Sequence, residues 1–304
     1  MESLYERLLS RLGPVQVRRD EMLAGHTTFK IGGPVDIFVE PNTIEELQFV
    51  MQVLTETKAN YLLLGMGSNM LVRDGGIRGV VVSLCGLRHV KERHDDTLRI
   101  GAGYSLKELS EWALEEELTG LEFAIGIPGS VGGAVFMNAG AYEGEMSFVV
   151  DKVVAVTPVG EVKVYLRDEL GFAYRHSAFQ DSGDVVAEVQ LQLTAGKAAD
   201  MKALMDDLTE RRESKQPLEY ASAGSTFKRP PGYYAGTLID QTGLKGLAVG
   251  DAEVSTKHAG FVINKGSARA KDVLALIEQV KARILEAHGV HLETEVRIVG
   301  DDER

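Results

Sequence analysis

The sequence predicts a mixed α+β fold of two or three domains, and three observations carry that prediction. Helix and strand patterns alternate through the first 120 residues, a run of strands follows between 153 and 193, and alternation returns beyond a composition shift at 215–222. One loop, Gly65-Met66-Gly67-Ser68-Asn69-Met70, begins like a dinucleotide fingerprint, but Met70 stands where the third glycine belongs and no helix pattern follows, which rejects a Rossmann fold. A second loop, Gly126 through Gly140, holds five glycines among small and apolar residues, unlike the polar composition of a linker. At 304 residues the chain is long enough to bury a large core and to divide.

The elements follow in order. Residues 1–13 read as a short amphipathic helix with Leu4, Leu8, Leu9 and Leu12, ending at Gly13. Gly32-Gly33-Pro34 makes a turn into a strand at Val35–Glu40. Asn42 and Glu45 form a candidate capping box for a helix over 43–58, and Tyr61–Leu64 completes a βαβ unit. Leu71–Leu84 reads as turn and strand. Leu98–Ala102 is a strand, and Ser105 with Glu108 caps a helix that buries Leu106, Leu109, Trp112, Ala113 and Leu118 and stops near Gly120. The 126–140 stretch matches neither an amphipathic helix nor a strand and reads as a buried loop lining a ligand. Strands follow at Val153–Thr157, Glu161–Leu166 and Val185–Leu193, then a helix over 198–214 with Met201, Leu204, Met205 and Leu208 on one face and a basic last turn. The tail carries a short helix near Leu238–Gly243, strands near Leu247–Val254 and Gly260–Ile263, a helix over 269–287 and a last strand His291–Val299, and reads as a compact α/β domain of its own.

Composition excludes several classes. A net charge of −12 makes the surface unattractive to nucleic acid and anionic membranes. No apolar run reaches membrane-spanning length, and the N-terminus has no apolar signal region. The single cysteine, Cys85, allows no internal disulfide, and a reducing cytoplasm is the simplest compartment. The seven histidines show no metal-ligand spacing, so no metal is expected. An anionic ligand would therefore depend on local cations and on backbone N–H groups, which glycine-rich loops can gather into a concave nest. On its own, the 65–69 loop fits such a nest and a tight strand-to-strand turn equally. Ser225 lies outside any Gly-x-Ser-x-Gly elbow and by itself reads as a turn serine; Arg175 by itself reads as a surface arginine. Alternation places Glu293, Glu295 and Arg297 on one face, which by pattern is a solvated one. His258 is the histidine best placed to line a ligand.

Together these pieces resemble the UDP-N-acetylenolpyruvoylglucosamine reductase (MurB) family. The resemblance rests on His26 through Gly33, Leu64 through Asn69, Gly126 through Gly140, Tyr174-Arg175-His176-Ser177, Ala223 through Lys228 and Glu293 through Arg297. Met66 departs from a frequent glycine and Thr294 from a frequent proline. What the resemblance implies is a vanillyl-alcohol-oxidase-like (PCMH-type) FAD-binding fold: subdomains at 1–84 and 85–214, and a substrate-binding α/β domain at 215–304. It implies FAD held by Gly65, Gly67, Ser68 and Asn69 and by Gly129, Ser130, Gly132, Gly133, Asn138, Ala139 and Gly140. Neither loop has a histidine to tether flavin, so the FAD should be noncovalent. It further implies NADPH as reductant and catalytic roles for Ser225, Arg175 and Glu295, in the activity of a UDP-N-acetylmuramate dehydrogenase of peptidoglycan synthesis. Tyr174, Lys228, Lys245 and His258 are the expected contacts to a UDP-sugar. Fifty residues separate Arg175 from Ser225, which points to the shorter family type without a tyrosine-bearing insertion. A monomer is expected. Two rival readings are another FAD oxidase or dehydrogenase of the same fold, and a catalytically silent nucleotide-binding module.

Overall fold

A computed structural model describes residues 1–302. By packing, the chain falls into two units: Met1–Arg19 with Ile37–Met66 and Gly79–Arg212, and Asp20–Asp36 with Gly67–Arg78 and Glu213 onward.

The first helix, Glu2–Leu12, buries Leu4, Leu8 and Leu12, one per turn, and ends at Gly13 with φ 85°. Burial of each such leucine contributes at most ~1.5–3 kcal/mol. The next helix, Ile44–Thr57, is capped one residue later than the sequence pattern suggests. Thr43 Oγ1 accepts from Glu46 N at 3.2 Å, and Glu46 in return accepts from Asn42 N. Threonine also has a capping oxygen, so Asn42 is displaced to the preceding position. The strand Tyr61–Leu64 pairs in parallel with Ile77–Ser83. That strand stands between Tyr61–Leu64 and Pro34–Val39, so the two ends of the predicted βαβ unit are not neighbours in the sheet.

A five-stranded antiparallel sheet forms the other half of this unit, in the order Val162–Leu166, Val150–Val156, Val185–Gln192, Thr97–Gly101, Lys91–His94. Lys91–His94 was not legible from pattern because all four of its residues are exposed. The helix Leu106–Glu115 has the predicted capping box, with both reciprocal bonds of Ser105 and Glu108. It ends earlier than expected, and Leu118 belongs to a two-residue strand, Leu118–Thr119. Valines and leucines of both sheets and four helices form one continuous core here.

The second unit has its own core, in which Phe29, Ile31 and Leu71 join the C-terminal residues. Its sheet runs Ala221–Ser225, Phe261–Asn264, Ala252–Val254, Ala248–Val249, all antiparallel, and the helix Ala270–His288 buries Val273, Leu276, Ile277, Val280 and Ile284. The predicted last strand His291–Val299 shrinks to Arg297–Val299, paired in parallel with Met70–Val72. The His26–Gly33 stretch is tied to this unit: Thr28 Oγ1 donates to Ser222 O at 2.7 Å, and Asn264 Nδ2 donates to Phe29 O at 3.1 Å.

Candidate active site

The first glycine loop carries the chain from strand Tyr61–Leu64 into strand Met70–Val72. Gly67 has φ 61°, and a Cβ there would stand 2.3 Å from the His26 carbonyl oxygen, so only glycine fits. A Cβ at Gly65 would stand 2.6 Å from Ser130 Oγ, which places the two glycine-rich stretches against each other. Among the described residues, none accepts a hydrogen bond from the backbone N–H groups of Gly65, Met66, Gly67, Ser68 or Asn69. The loop is thus the strand-to-strand turn that the sequence allowed, with these amides turned away from any described acceptor. Such a row of donors fits the phosphate oxygens of a dinucleotide. Asn69 also ties the loop to the C-terminal segment: its Nδ2 donates to Glu295 O at 3.2 Å, and its carbonyl accepts from Arg297 N at 3.0 Å.

The second stretch departs from the expected loop. Val131–Phe136 is a short helix, and Ser130 caps it by accepting from Gly133 N at 3.2 Å. Val131 N donates to Tyr104 O and Gly132 N to Ala102 O, so these amides are taken up inside the protein rather than offered to a ligand. Glycine at 132 answers a packing need, since a Cβ would lie 2.8 Å from that of Ala102. Two glycines weaken a helix by ~1 kcal/mol each, which hid it from pattern; the serine cap and these tertiary bonds offset that. Gly129 has φ 141° and its carbonyl accepts from Leu106 N, while Gly133 is exposed on the helix surface. Ala139 N closes on Ala134 O, and Gly140 pairs with Glu145 in a tight hairpin turned by Tyr142 and Glu143, both at positive φ.

Asn138 is buried, and its side chain has three partners. Nδ2 donates to Glu145 Oε1 and to Ala173 O, both at 3.1 Å, and Oδ1 accepts from Ser147 N at 2.9 Å. The bond to Ala173 positions the turn that carries Arg175. Ala173 and His176 exchange both backbone hydrogen bonds at 3.1 Å, leaving Tyr174 and Arg175 at the tip. Ser177 Oγ and Gln180 Nε2 both donate to Phe136 O, and Gln180 also donates to Arg175 O. Arg175 is held at φ 56°, and its guanidinium lies 5.2 Å over the exposed Tyr174 ring.

In the second unit, Ser225 ends the strand Ala221–Ser225 just after Gly224, which has φ 74° and breaks the register with Phe261–Asn264. Ser225 is exposed. The chain then runs antiparallel to 293–295: Glu295 N donates to Thr226 O and Lys228 N to Glu293 O, both at 2.9 Å. Ser225 and Glu295 therefore lie on adjacent segments. Lys228 Nζ pairs with Glu293 at 3.0 Å and Lys245 Nζ with Asp240 at 2.7 Å. The imidazole of His258 accepts from Gly260 N at its Nδ1 and packs edge-on against Phe261. Burial, and to a smaller extent the Lys245 charge, push its pKa below the ordinary histidine value against a backbone hydrogen bond that raises it, and the bond from Gly260 N places the proton of the neutral ring on Nε2. One cation, Arg212, was read from sequence only as part of a basic last turn suited to a helix C-terminus. Arg212 packs on Gly126, and the signal was available: unlike Arg211, it has no acidic residue three or four positions away on its helix.

Residues 216–299 match the family model of the C-terminal domain of UDP-N-acetylenolpyruvoylglucosamine reductase, and residues 35–165 match that of an FAD-binding domain. The reductase of Geobacillus kaustophilus is 50% identical over 301 residues, 99% of either chain. That of Clostridium tetani is 48% identical over 301 residues, 99% of this chain and 98% of its own. The chain belongs to the UDP-N-acetylenolpyruvoylglucosamine reductase family. The crystal structure of the family's Thermus caldophilus member superposes with a TM-score of 0.80 at 39% identity, over 93% of this chain and 98% of that one. An alkyldihydroxyacetonephosphate synthase, 16% identical, superposes with a TM-score of 0.50 over 64% of this chain and 41% of its own, a likeness of fold alone. The fold is accordingly the vanillyl-alcohol-oxidase-like FAD-binding one, and the chain is a flavin-dependent oxidoreductase of the enolpyruvyl reduction step in peptidoglycan synthesis. Among the described residues no group of three or more His, Cys, Asp or Glu could hold a metal ion, and no helix is long and apolar enough to cross a membrane.

Proposed function

We propose that this reductase uses NADPH to reduce UDP-N-acetylglucosamine enolpyruvate to UDP-N-acetylmuramate, with Ser225 as the proton donor. The observation that carries the reading is the seating of Ser225 and Glu295 on adjacent hydrogen-bonded segments, with Asn69 of the free-amide loop holding the Glu295 backbone. In this reading FAD is noncovalent; 1–84 and 85–214 hold it, and 215–304 holds the UDP-sugar. The protein acts as a cytoplasmic monomer.

When bound, FAD would supply the redox chemistry, taking reducing equivalents from NADPH and passing hydride to the terminal carbon of the enolpyruvyl ether. The amides of Gly65 to Asn69 would hold its pyrophosphate, and the bare surface of Gly133 would let the cofactor come close to the second glycine stretch. The residues Gly129, Ser130, Gly132, Asn138, Ala139 and Gly140 shape that wall. Hydride addition drives negative charge onto the substrate carboxylate. Arg175 stabilises that charge through two parallel N–H donors. Glu295, beside a carboxylate, can help only as a neutral hydrogen-bond donor or by orienting a cation or water. Ser225 then gives its proton to the neighbouring carbon, which a basic enediolate in a dry site can accept. Tyr174, Lys228, Lys245 and His258 contact the UDP-sugar; the lysines would exchange Glu293 and Asp240 for phosphate oxygens.

The test uses the purified yellow protein under argon. NADPH should bleach the flavin, and the enolpyruvyl substrate should restore the colour. Reoxidation by oxygen with no response to that substrate would favour a different flavin oxidase; a colourless protein that releases no flavin on denaturation would overturn the reading.

A further inference from the structure

Arg212 sits in the last turn of the helix Ala198–Lys215, and no described residue gives it a hydrogen bond or ion pair. Its neighbour Arg211 shows the usual arrangement, pairing with Asp207 at 2.8 Å one turn back. Residues Leu208, Thr209, Lys215 and Gln216 occupy the positions three and four away from Arg212 and offer no carboxylate. The side chain does not reach for solvent. It lies down on the backbone of Gly126: a Cβ there would stand 2.7 Å from Cδ and 3.4 Å from both Nε and Nη1. Burial depresses its pKa, and the group that acts on it in the other direction is Tyr142, in the hairpin at the end of the same glycine stretch. An arginine remains a cation at any physiological pH. A half-buried cation without a counter-charge is unfavourable in a finished fold, and removing such a mismatch ordinarily stabilises the protein. Its retention beside Gly126 points to an anion that arrives with a ligand.

Gly126 and Tyr142 both lie within the FAD-binding match at 35–165, whereas Ser225, Lys228, Lys245, His258 and Glu295 lie in the other unit. We infer that Arg212 is the counter-charge to an anionic group of the bound FAD. Two parts of FAD have that chemistry: the pyrophosphate, anionic always, and the ring, which gains charge when reduced. The inference rests on FAD binding at this unit.

The test compares wild type, Arg212→Met and Arg212→Lys as holoproteins. Two quantities are measured: FAD dissociation on dilution, by recovery of flavin fluorescence, and the midpoint potential of the bound flavin. A pyrophosphate partner predicts at least tenfold weaker binding of oxidised FAD in Arg212→Met with an unchanged potential. A ring partner predicts oxidised binding within twofold and at least a tenfold loss in the ratio of reduced to oxidised affinity. That is a fall of about 30 mV for a two-electron couple. Arg212→Lys should lose less in either case. Should Arg212→Met fail to fold by circular dichroism, Arg212→Gln takes its place with the same thresholds. A folded, uncharged variant that leaves both quantities unchanged overturns the inference, as does one that alters only the KM of the enolpyruvyl substrate. Wild-type protein that binds no FAD would instead remove the functional reading beneath it.

Discussion

Arg175 occupies the left-handed region at φ 56°, which costs a non-glycine residue roughly 1–2 kcal/mol. The cost is borne by a turn fastened through Asn138, Ser177 and Gln180. Strain held at a half-buried arginine fits the proposed role of a positioned functional group. Arg175→Lys should therefore leave the thermal midpoint near wild type while lowering turnover by ~10²-fold or more, because a lysine cannot make a two-pronged contact. A lowered midpoint with normal turnover per folded molecule would return Arg175 to a structural role. At Glu295, Gln should be milder than Ala if the residue acts as a neutral hydrogen-bonding acid; equal losses in kcat would count against that. A further residue-scale effect lies away from the site. The Arg88 guanidinium beside Glu108, with the Ser105 amide, holds its carboxyl at about 2 against an ordinary 4.5. A depressed carboxylate contributes stability above pH 4.5 and loses it as pH falls toward 2. Glu108 is 40% exposed, so screening reduces the contribution to ~1 kcal/mol. Urea midpoints at pH 6 and pH 3 should show that much less pH sensitivity in Glu108→Gln than in wild type.

At the scale of elements, the glycines divide by what each excludes. Gly67 faces a carbonyl oxygen at 2.3 Å and has positive φ, so Gly67→Ala must distort the free-amide loop. Its expected signature is FAD release at least ~10-fold easier, with the rest of the fold cooperative. Gly132 faces the Cβ of Ala102, so Gly132→Ala should cost ~1–3 kcal/mol by overpacking and show mainly as a lower thermal midpoint. If Gly132→Ala released flavin as readily as Gly67→Ala did, the division between ligand-facing and packing glycines would fail. Most elements were legible because their apolar spacing is strong, as in Leu4–Leu8–Leu12 and the Ser105–Glu108 box. The short helix at Val131–Phe136 was not, because its stability comes from a cap and from Ala102 and Tyr104, which local composition does not encode. Lys91–His94 escaped for the opposite reason: a fully exposed edge strand has no alternation to read. The end of the chain was read as one long strand, yet Thr226, Lys228 and Asn69 take over its backbone bonds up to Arg297.

For the molecule as a whole, two cores carry two kinds of candidate chemistry: the 126–140 stretch with Arg175 and Arg212 in one unit, Gly67 to Asn69 with Ser225 and Glu295 in the other. The candidate residues were legible only through the family's motifs. Taken alone, Ser225 is a turn serine and Glu295 one of several polar residues in a strand pattern, and their adjacency arises from a pairing of segments some seventy residues apart. The central claim is that Ser225 serves only the second half of a reaction whose halves meet at the flavin. Ser225 is exposed and packs no core, so Ser225→Ala should keep the fold and the yellow colour. The deciding measurement is stopped-flow absorbance of the flavin in Ser225→Ala. Reduction by NADPH should proceed near the wild-type rate, and reoxidation by the enolpyruvyl substrate should slow by ~10²–10⁴-fold, the worth of a positioned general acid. Equal slowing of both halves, or of neither, would contradict the account.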